Sequence, residues 1–109
     1  MYVSTYTPET LERAEVDRQA GPMVLEFGAN WCGHCNGAQP HIQAAFEQAG
    51  SEVLHVKVED GSGRPLGRSY RVKLWPTLIF LQNGQELARV VRPDNVQAVL
   101  DGLKKLQTG

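Results

Sequence analysis

The sequence is poor in the features that build a disulfide framework, a membrane span or a strongly charged surface. It has two cysteines in 109 residues. No apolar run approaches the roughly 18 residues that a membrane span requires. Eleven basic residues stand against twelve acidic ones, for a formal net charge of −1, so the chain has no electrostatic preference for a polyanion. We therefore expect neither a nucleic-acid partner nor a membrane partner.

The chain also begins without an export signal. Residues 1–5 contain no basic region followed by an apolar one, which is the pattern of a secretory leader. The two cysteines are separated by only two residues, so no long-range disulfide can hold the fold, which has to rest on packing. We expect a cytoplasmic protein whose cysteines are free for chemistry.

Hydrophobic periodicity and turn signals predict one domain, residues 1–109, of the α/β class. The apolar run 23–27 is typical of a strand covered on both faces, with Glu26 as its one charged residue. Asn83-Gly84 is the strongest two-residue hairpin signal, so the last two strands are antiparallel and the sheet is mixed, with helices on both faces. The predicted strands are 2–6, 23–27, 53–58, 77–82 and 86–91. Four helices are predicted. The first runs from a Thr7 cap, with Pro8 and Glu9 in the first turn, to about Ala20. The second runs from the cysteine motif to Ala49 and contains Pro40, the third begins at Pro65, and the fourth begins after an Asp94 cap that is followed by Gln97.

The segment Trp31-Cys32-Gly33-His34-Cys35 carries the clearest chemical signal. Cysteines at positions i and i+3 of a helix bring their Cβ atoms within about 5–6 Å, close enough for a disulfide to open and close. If Cys32 caps the helix, its sulfur points at unpaired N–H groups and the positive end of the dipole, which favours the thiolate. Such a thiolate attacks a substrate disulfide, and Cys35 then attacks Cys32 and releases the reduced substrate.

Two simpler interpretations of the pair stay open at this point. Half of a metal site would need two further Cys or His ligands, and the chain offers only His34, His41 and His55. A chance pair of structural cysteines is the other interpretation. His41 and His55 have no partner visible in the sequence, and we interpret both as structural.

An ordered set of motifs resembles the thioredoxin family over essentially the whole chain. The resemblance implies a thioredoxin fold, a cis peptide bond before Pro76 and an extended substrate segment paired with that loop beside Cys32. The motifs are Val24-Leu25-Glu26-Phe27 with Ala29 and the cysteine segment, which are similar to the active-site strand and turn; Pro40, similar to the kinking proline; Trp75-Pro76-Thr77, similar to the cis-proline loop; and Asn83-Gly84, similar to the hairpin. The substrate-binding residues that it implies are Trp31, Gly33, Trp75, Pro76, Thr77 and Arg92.

Three positions depart from the family's pattern at the surface. His34 stands where thioredoxins usually have proline, which gives Cys-Gly-His-Cys, the active-site sequence of protein disulfide isomerases. A histidine beside the Cys32 sulfur stabilises the thiolate, so we expect a stronger oxidant; the alternative is a His34 that is merely exposed on the first turn. Gly28 replaces a tryptophan and Arg92 lies where a glycine is usual, so we expect an altered docking surface for a thioredoxin reductase.

The fourth departure is Glu26, which takes the place of the family's buried aspartate. In the family that acid passes the proton of the inner cysteine. We expect burial to raise the pKa of Glu26 toward the range of a general base, with Lys57 opposing the rise. The alternative is a structural ion pair of Glu26 with Lys57. The predicted catalytic residues are Cys32, Cys35, Glu26, Lys57 and His34.

Together these features predict a monomeric protein-disulfide oxidoreductase that needs no cofactor beyond its own dithiol. We expect protein disulfides as substrates, a thioredoxin reductase or another dithiol donor as partner, and net reduction in the cytoplasm. An oxidase or isomerase is the nearest alternative because of Cys-Gly-His-Cys. A binding module that does not use its thiols, and a carrier of Cu(I) or zinc that uses Cys32, Cys35 and His34, are alternatives from other classes.

Overall fold

A computed structural model describes residues 2–8, 10–50 and 52–106. No helix in these ranges is both long and apolar enough to cross a membrane. The elements are α1 (Arg13–Asp17), β1 (Pro22–Gly28), α2 (Gly33–Ala49), β2 (Leu54–Glu59), α3 (Pro65–Ser69), β3 (Thr77–Gln82), β4 (Gln85–Val91) and α4 (Val96–Lys104).

The strands form a mixed sheet in the order β2-β1-β3-β4. β1 pairs with β2 in parallel and with β3 antiparallel, and β3 pairs antiparallel with β4. Asn83 and Gly84 join β3 to β4 with φ angles of 53° and 80°, the two positive values that a tight hairpin turn of this kind requires. The α/β class, the mixed sheet and the hairpin are confirmed.

The sheet separates two apolar cores, because alternate residues of a strand point to opposite faces. Val24 and Phe80 pack in one core with residues of α2 and α4, and Leu25 and Phe27 pack in the other with residues of α1 and α3. Gly102 allows α4 to approach closely, since a Cβ there would stand 2.4 Å from the Phe80 ring. Helices therefore cover both faces, as predicted.

The start of the chain differs from the prediction. Residues 2–6, all within the described ranges, form no strand. The first helix neither begins at Thr7 nor reaches Ala20, because α1 covers only Arg13–Asp17 and its N-cap is Glu12. Glu9, expected in the first turn, lies outside the described residues.

Pairing with β2 explains why Thr7 does not cap a helix. Its N–H donates to the Lys57 carbonyl at 3.1 Å, and its own carbonyl accepts from the Glu59 N–H at 2.8 Å. Two ladder bonds hold Thr7 extended, and the one from its N–H satisfies a donor that a helix start would leave unpaired. A contact between residues 50 positions apart overrides the local signal of Thr7-Pro8.

The remaining helices begin close to the predicted positions. α2 starts directly after Cys32 and contains Pro40, and α3 starts at Pro65. The cap of α4 is Asn95 rather than Asp94, because the Asn95 side chain accepts a hydrogen bond from the Ala98 N–H at 2.9 Å. The structure therefore brings the cysteine motif to the tip of a 17-residue helix next to the end of β1.

Candidate active site

Cys32 and Cys35 lie at the N-terminal end of α2. Cys32 is the N-cap of the helix, and its Sγ accepts a hydrogen bond from the Cys35 N–H at 3.3 Å. Both thiols are free. Cys32 keeps 9% of its surface exposed, whereas Cys35 keeps none. The predicted placement is confirmed: one sulfur caps the helix within reach of solvent, and the other lies one turn inside.

The surroundings of Cys35 keep its thiol protonated. Burial raises the pKa of Cys35 to about 12, and a hydrogen bond with Cys32 adds to the rise. The Ala29 backbone and the Tyr6 hydroxyl oppose it. Because only a thiolate attacks a disulfide, Cys35 needs a proton acceptor before it can react.

A cluster of five buried or half-buried polar side chains adjoins Cys35; we call it the polar cluster. The parallel register of β1 and β2 places Glu26 beside Lys57, and His55 lies two residues earlier on the same face of β2. The His55 Nε2 is 2.8 Å from the Glu26 Oε1, and the Lys57 Nζ is 3.8 Å from the Glu26 Oε2. The members of the polar cluster are Tyr6, Glu26, Gln39, His55 and Lys57.

His55 is held as a neutral imidazole. The Val3 N–H donates to its Nδ1 at 2.9 Å, so the ring proton lies on Nε2 and is donated to the Glu26 carboxylate. Burial lowers the pKa of His55 and outweighs the opposite effect of Glu26. The ring also stacks on Phe46, with 4.5 Å between centroids. Sequence reasoning missed this partner, since 29 residues separate His55 from Glu26 and the strand register brings them together.

The expected rise in the pKa of Glu26 is wrong. Burial does raise it, but the hydrogen bond and charge of His55, the charge of Lys57 and the hydrogen bond of Tyr6 together lower it further. Gln39 also donates to its Oε2 at 3.0 Å. A carboxylate that accepts several hydrogen bonds favours its charged form even when buried. Glu26 is therefore ionised at neutral pH.

The alternative of a simple ion pair between Glu26 and Lys57 describes only part of the contact. The Lys57 Nζ donates to the Gln39 Oε1 at 2.6 Å and to the Ser4 carbonyl at 3.1 Å, both shorter than its distance to Glu26. Lys57 thus supplies charge to Glu26 while its hydrogen bonds hold other groups.

Gln39 joins the polar cluster to the helix, and sequence reasoning missed it. Its Nε2 donates to the Glu26 Oε2 and to the Cys35 carbonyl, each at 3.0 Å. Its Oε1 accepts from Lys57 and from the Tyr2 hydroxyl, each at 2.6 Å. Gln39 lies four positions after Cys35, on the same helix face, and that spacing is the signal that could have found it.

Aromatic side chains form the outer rim of the site. The Trp31 side chain is 76% exposed, and its ring meets that of Trp75 edge to face, with 5.6 Å between centroids. The Trp75 Nε1 donates to Asp60 at 2.9 Å. The Trp75-Pro76 bond is cis, as the resemblance implied. Thr77 is buried and its hydroxyl donates to the Leu74 carbonyl at 2.6 Å, so this side chain holds the loop in place.

Arg92 is bound to the same loop. Its N–H donates to the Pro76 carbonyl at 2.9 Å, and its Nε donates to the Trp75 carbonyl at 2.8 Å. Its φ is 51°, in the region that favours glycine, which agrees with the glycine usual at this position of the family. Arg92 thus lies beside the predicted substrate groove and holds two of its backbone carbonyls.

His34 is exposed on the first turn of α2. Together with Gly33, His41 and Arg92 it lines a shallow groove of about 240 Å³. In the described part of the chain, its ring makes no hydrogen bond to Cys32. Within the same ranges no three His, Cys, Asp or Glu side chains are grouped to hold a metal ion.

Comparison with known proteins assigns the family. The thioredoxin family model matches residues 3–105. The chain belongs to the thioredoxin family. Its fold is similar to the structure of thioredoxin 2 from Pseudomonas aeruginosa PAO1 in its reduced form, with a TM-score of 0.84, 50% identity and 94% of each chain covered. In a member of this family, the Cys32/Cys35 pair at the helix tip is the redox site of a thiol-disulfide oxidoreductase domain.

Two curated relatives match parts of this thioredoxin domain. The thioredoxin of Echinococcus granulosus is 35% identical over 69 residues, which cover 63% of this chain and 64% of the relative. A peptide-N(4)-(N-acetyl-beta-glucosaminyl)asparagine amidase of Caenorhabditis elegans is 33% identical over 95 residues, 87% of this chain. The chain spans only 15% of that amidase and less than two thirds of either relative.

Proposed function

We propose that this chain exchanges disulfides with protein substrates as a monomer, with Cys32 as nucleophile and Cys35 as resolving thiol. The observation that carries the proposal is the unequal exposure of two sulfurs at one helix tip. The Cys32 thiolate attacks a substrate disulfide, forms a mixed disulfide and releases one substrate thiolate. Cys35 then loses its proton and attacks Cys32, which releases the second substrate thiolate and leaves a Cys32–Cys35 disulfide.

The rim supports binding of extended peptide rather than of a small molecule. Trp31 and Trp75 offer adjoining aromatic surface next to Cys32. The family resemblance adds that the loop at Pro76 pairs with a strand-like segment of the substrate. Gly33 and Arg92 border the neighbouring groove. Backbone pairing with few side-chain pockets tolerates many sequences, which suits a general protein-disulfide oxidoreductase.

For the direction of the reaction, we propose net reduction in the cytoplasm, with a thioredoxin reductase or another dithiol donor as the source of electrons. Membership in the thioredoxin family supports this choice. The second candidate is oxidation or isomerisation of protein disulfides, which Cys-Gly-His-Cys favours because a cation beside the Cys32 sulfur stabilises the reduced form. Equilibration with glutathione separates them: about −270 mV is typical of thioredoxin and about −180 mV of protein disulfide isomerase.

Insulin reduction by dithiothreitol tests the exchange reaction itself. Catalytic amounts of the wild-type chain should accelerate precipitation of the insulin B chain, and Cys32→Ser should return it to the rate with dithiothreitol alone. Cys35→Ser should instead accumulate a mixed disulfide with insulin. A wild-type chain that leaves the rate unchanged would contradict the proposal and favour the binding module.

A further inference from the structure

Tyr6 lies between the resolving thiol and the buried carboxylate. Its hydroxyl donates a hydrogen bond to the Glu26 Oε2, and its ring packs in one buried cluster with Cys35. The residue is only 4% exposed, so bulk water does not bridge these groups freely. Glu26 accepts hydrogen bonds from Tyr6, Gln39 and His55. The Tyr6 hydroxyl thus lies next to the Glu26 carboxylate and, across the space left by Gly28, next to the Cys35 thiol.

Gly28 provides the space for this arrangement. A Cβ at residue 28 would stand 2.6 Å from the Tyr6 hydroxyl oxygen and 2.7 Å from the Cys35 Sγ. No real Cβ tolerates contacts of that length, so the tyrosine ring reaches the thiol because residue 28 has no side chain. The Tyr6 ring therefore occupies space that any side chain at residue 28, including the family's tryptophan, would need.

Asn30 anchors Tyr6 from the loop that precedes the cysteines. The Tyr6 N–H donates to the Asn30 Oδ1 at 2.8 Å, and the Asn30 Nδ2 donates to the Tyr6 carbonyl at 3.0 Å. The Lys57 Nζ lies over the ring, 4.3 Å from its centroid. A side chain fixed in this way holds its hydroxyl in one place, as proton transfer requires.

We propose that Tyr6 relays the proton of Cys35 to Glu26 while Cys35 resolves the mixed disulfide. The proposal rests on the proposed function, in which Cys35 is the resolving thiol. The Cys35 S–H proton moves to the Tyr6 oxygen as the Tyr6 O–H proton moves to the Glu26 Oε2. The Cys35 sulfur attacks the Cys32 Sγ, and the bond between Cys32 and the substrate sulfur breaks with its electron pair on the substrate. Tyr6 ends neutral, and Glu26 ends protonated.

The charged and titratable groups around the relay come from two strands, one helix and the segments that precede them. Glu26 from β1 and Cys35 from α2 lie near the Tyr6 hydroxyl, and Lys57 from β2 lies over the Tyr6 ring. His55 and Tyr2 lie near Glu26, and Cys32 lies near Cys35. Burial, reinforced by the charge of Glu26, raises the pKa of Tyr6 far above its usual value. Tyr6 therefore passes a proton on without ionising.

Stopped-flow reaction with Ellman's reagent separates the two thiols. The first release of coloured thiolate reports attack by Cys32 and depends on reagent concentration, whereas the second reports resolution by Cys35 and does not. Tyr6→Phe should slow the second phase about 100-fold at pH 7, the lower end of general acid–base effects. It should leave the first phase within twofold. The second phase of the variant should also rise with pH between 6 and 9 more steeply than that of the wild type.

Tyr2→Phe is the matched control. Tyr2 also donates its hydroxyl into the polar cluster, to Gln39 at 2.6 Å, but it does not touch Cys35, so its second phase should stay within twofold of wild type. A Tyr6→Phe second phase equal to wild type from pH 6 to 9 would overturn the relay. A wild-type chain without a concentration-independent second phase would instead overturn the proposed function.

Two further measurements keep the relay testable if Tyr6→Phe folds poorly. In wild-type protein, the second-phase rate should depend on the deuterium fraction of the solvent along a curve, because two protons move; a straight line would contradict the relay. The double variant Glu26→Gln, Tyr6→Phe should be no slower than the slower single variant, since both break one path. A double variant slowed by the product of the two single-variant effects would contradict the relay.

Discussion

Cys32 keeps a small exposed fraction beside an exposed tryptophan and an exposed histidine, whereas Cys35, three residues later, is fully buried. On the outer side Trp31 is exposed, and its ring meets the edge of the Trp75 ring. The inner residues form a closed set of hydrogen bonds around Glu26. The outer cysteine therefore keeps some exposure toward a substrate disulfide, whereas the inner cysteine is a buried, protonated thiol.

The largest test of the comparison is Glu26→Gln on the inner side. The variant should lose about 2 kcal/mol of unfolding free energy at pH 7, because charge-assisted hydrogen bonds to a buried carboxylate become neutral ones. The pKa of Glu26 is lower in the folded chain, so its stabilisation is present above about pH 4.3 and lost as pH falls through the folded pKa. Urea unfolding of both proteins from pH 7 to 3 measures the gap, which should shrink in acid; a gap independent of pH would argue against an ionised Glu26.

His55→Gln sharpens the same side of the comparison. The pKa of His55 is lowered in the folded chain, so below about pH 6.5 the unfolded chain takes up a proton that the folded chain does not. Wild-type stability should therefore fall from pH 6.5 downward with a slope of up to about 1.4 kcal/mol per pH unit from this residue. Glutamine can still donate to Glu26 but does not titrate, so urea unfolding at pH 7.5, 6.5 and 5.5 should show a shallower slope. Equal slopes would mean that His55 is not held neutral.

His34→Pro tests the outer side. A histidine next to the Cys32 sulfur stabilises the reduced state, so its removal should lower the reduction potential; about 30 mV corresponds to about 1.4 kcal/mol for this two-electron couple. Equilibration of wild type and variant with glutathione gives the two potentials. An unchanged or higher value in the variant would leave His34 as an exposed residue of the first turn and nothing more.

Trp31→Ala should have the smallest effect and should separate binding from folding. An aromatic contact with substrate is worth about 1 kcal/mol, so kcat/KM for insulin should fall about fivefold, while the unfolding free energy stays within about 0.5 kcal/mol of wild type. Ellman's reagent, which does not cover the rim, serves as the control and should react at the wild-type rate. If Trp31→Ala lost as much unfolding free energy as Glu26→Gln, Trp31 would be a structural residue and not one that only binds substrate.

What the sequence predicts well is local. The cap at Cys32, the start of α3 at Pro65 and the hairpin at Asn83 each follow from a few adjacent residues, and the structure has all three. The family resemblance also anticipated the cis bond before Pro76.

What the sequence does not predict depends on residues brought together from far along the chain. The Thr7 cap failed because β2 pairs with Thr7, and the expected pKa rise of Glu26 failed because His55 arrives from the neighbouring strand. Tyr6 is 20 residues from Glu26, and the signal for its position was the missing side chain of Gly28. In each case the deciding contact comes from a segment that is distant in the sequence.

The most direct test of the account is the rate at which iodoacetamide alkylates each cysteine of the reduced wild-type chain at pH 7, resolved by peptide mass spectrometry. Cys32 should be modified at least about 100-fold faster than Cys35, since Cys35 is fully buried and its thiol stays protonated. Loss of insulin reduction should follow modification of Cys32. Alkylation of Cys35 at an equal rate, or a Cys32 that reacts no faster than free glutathione, would contradict it.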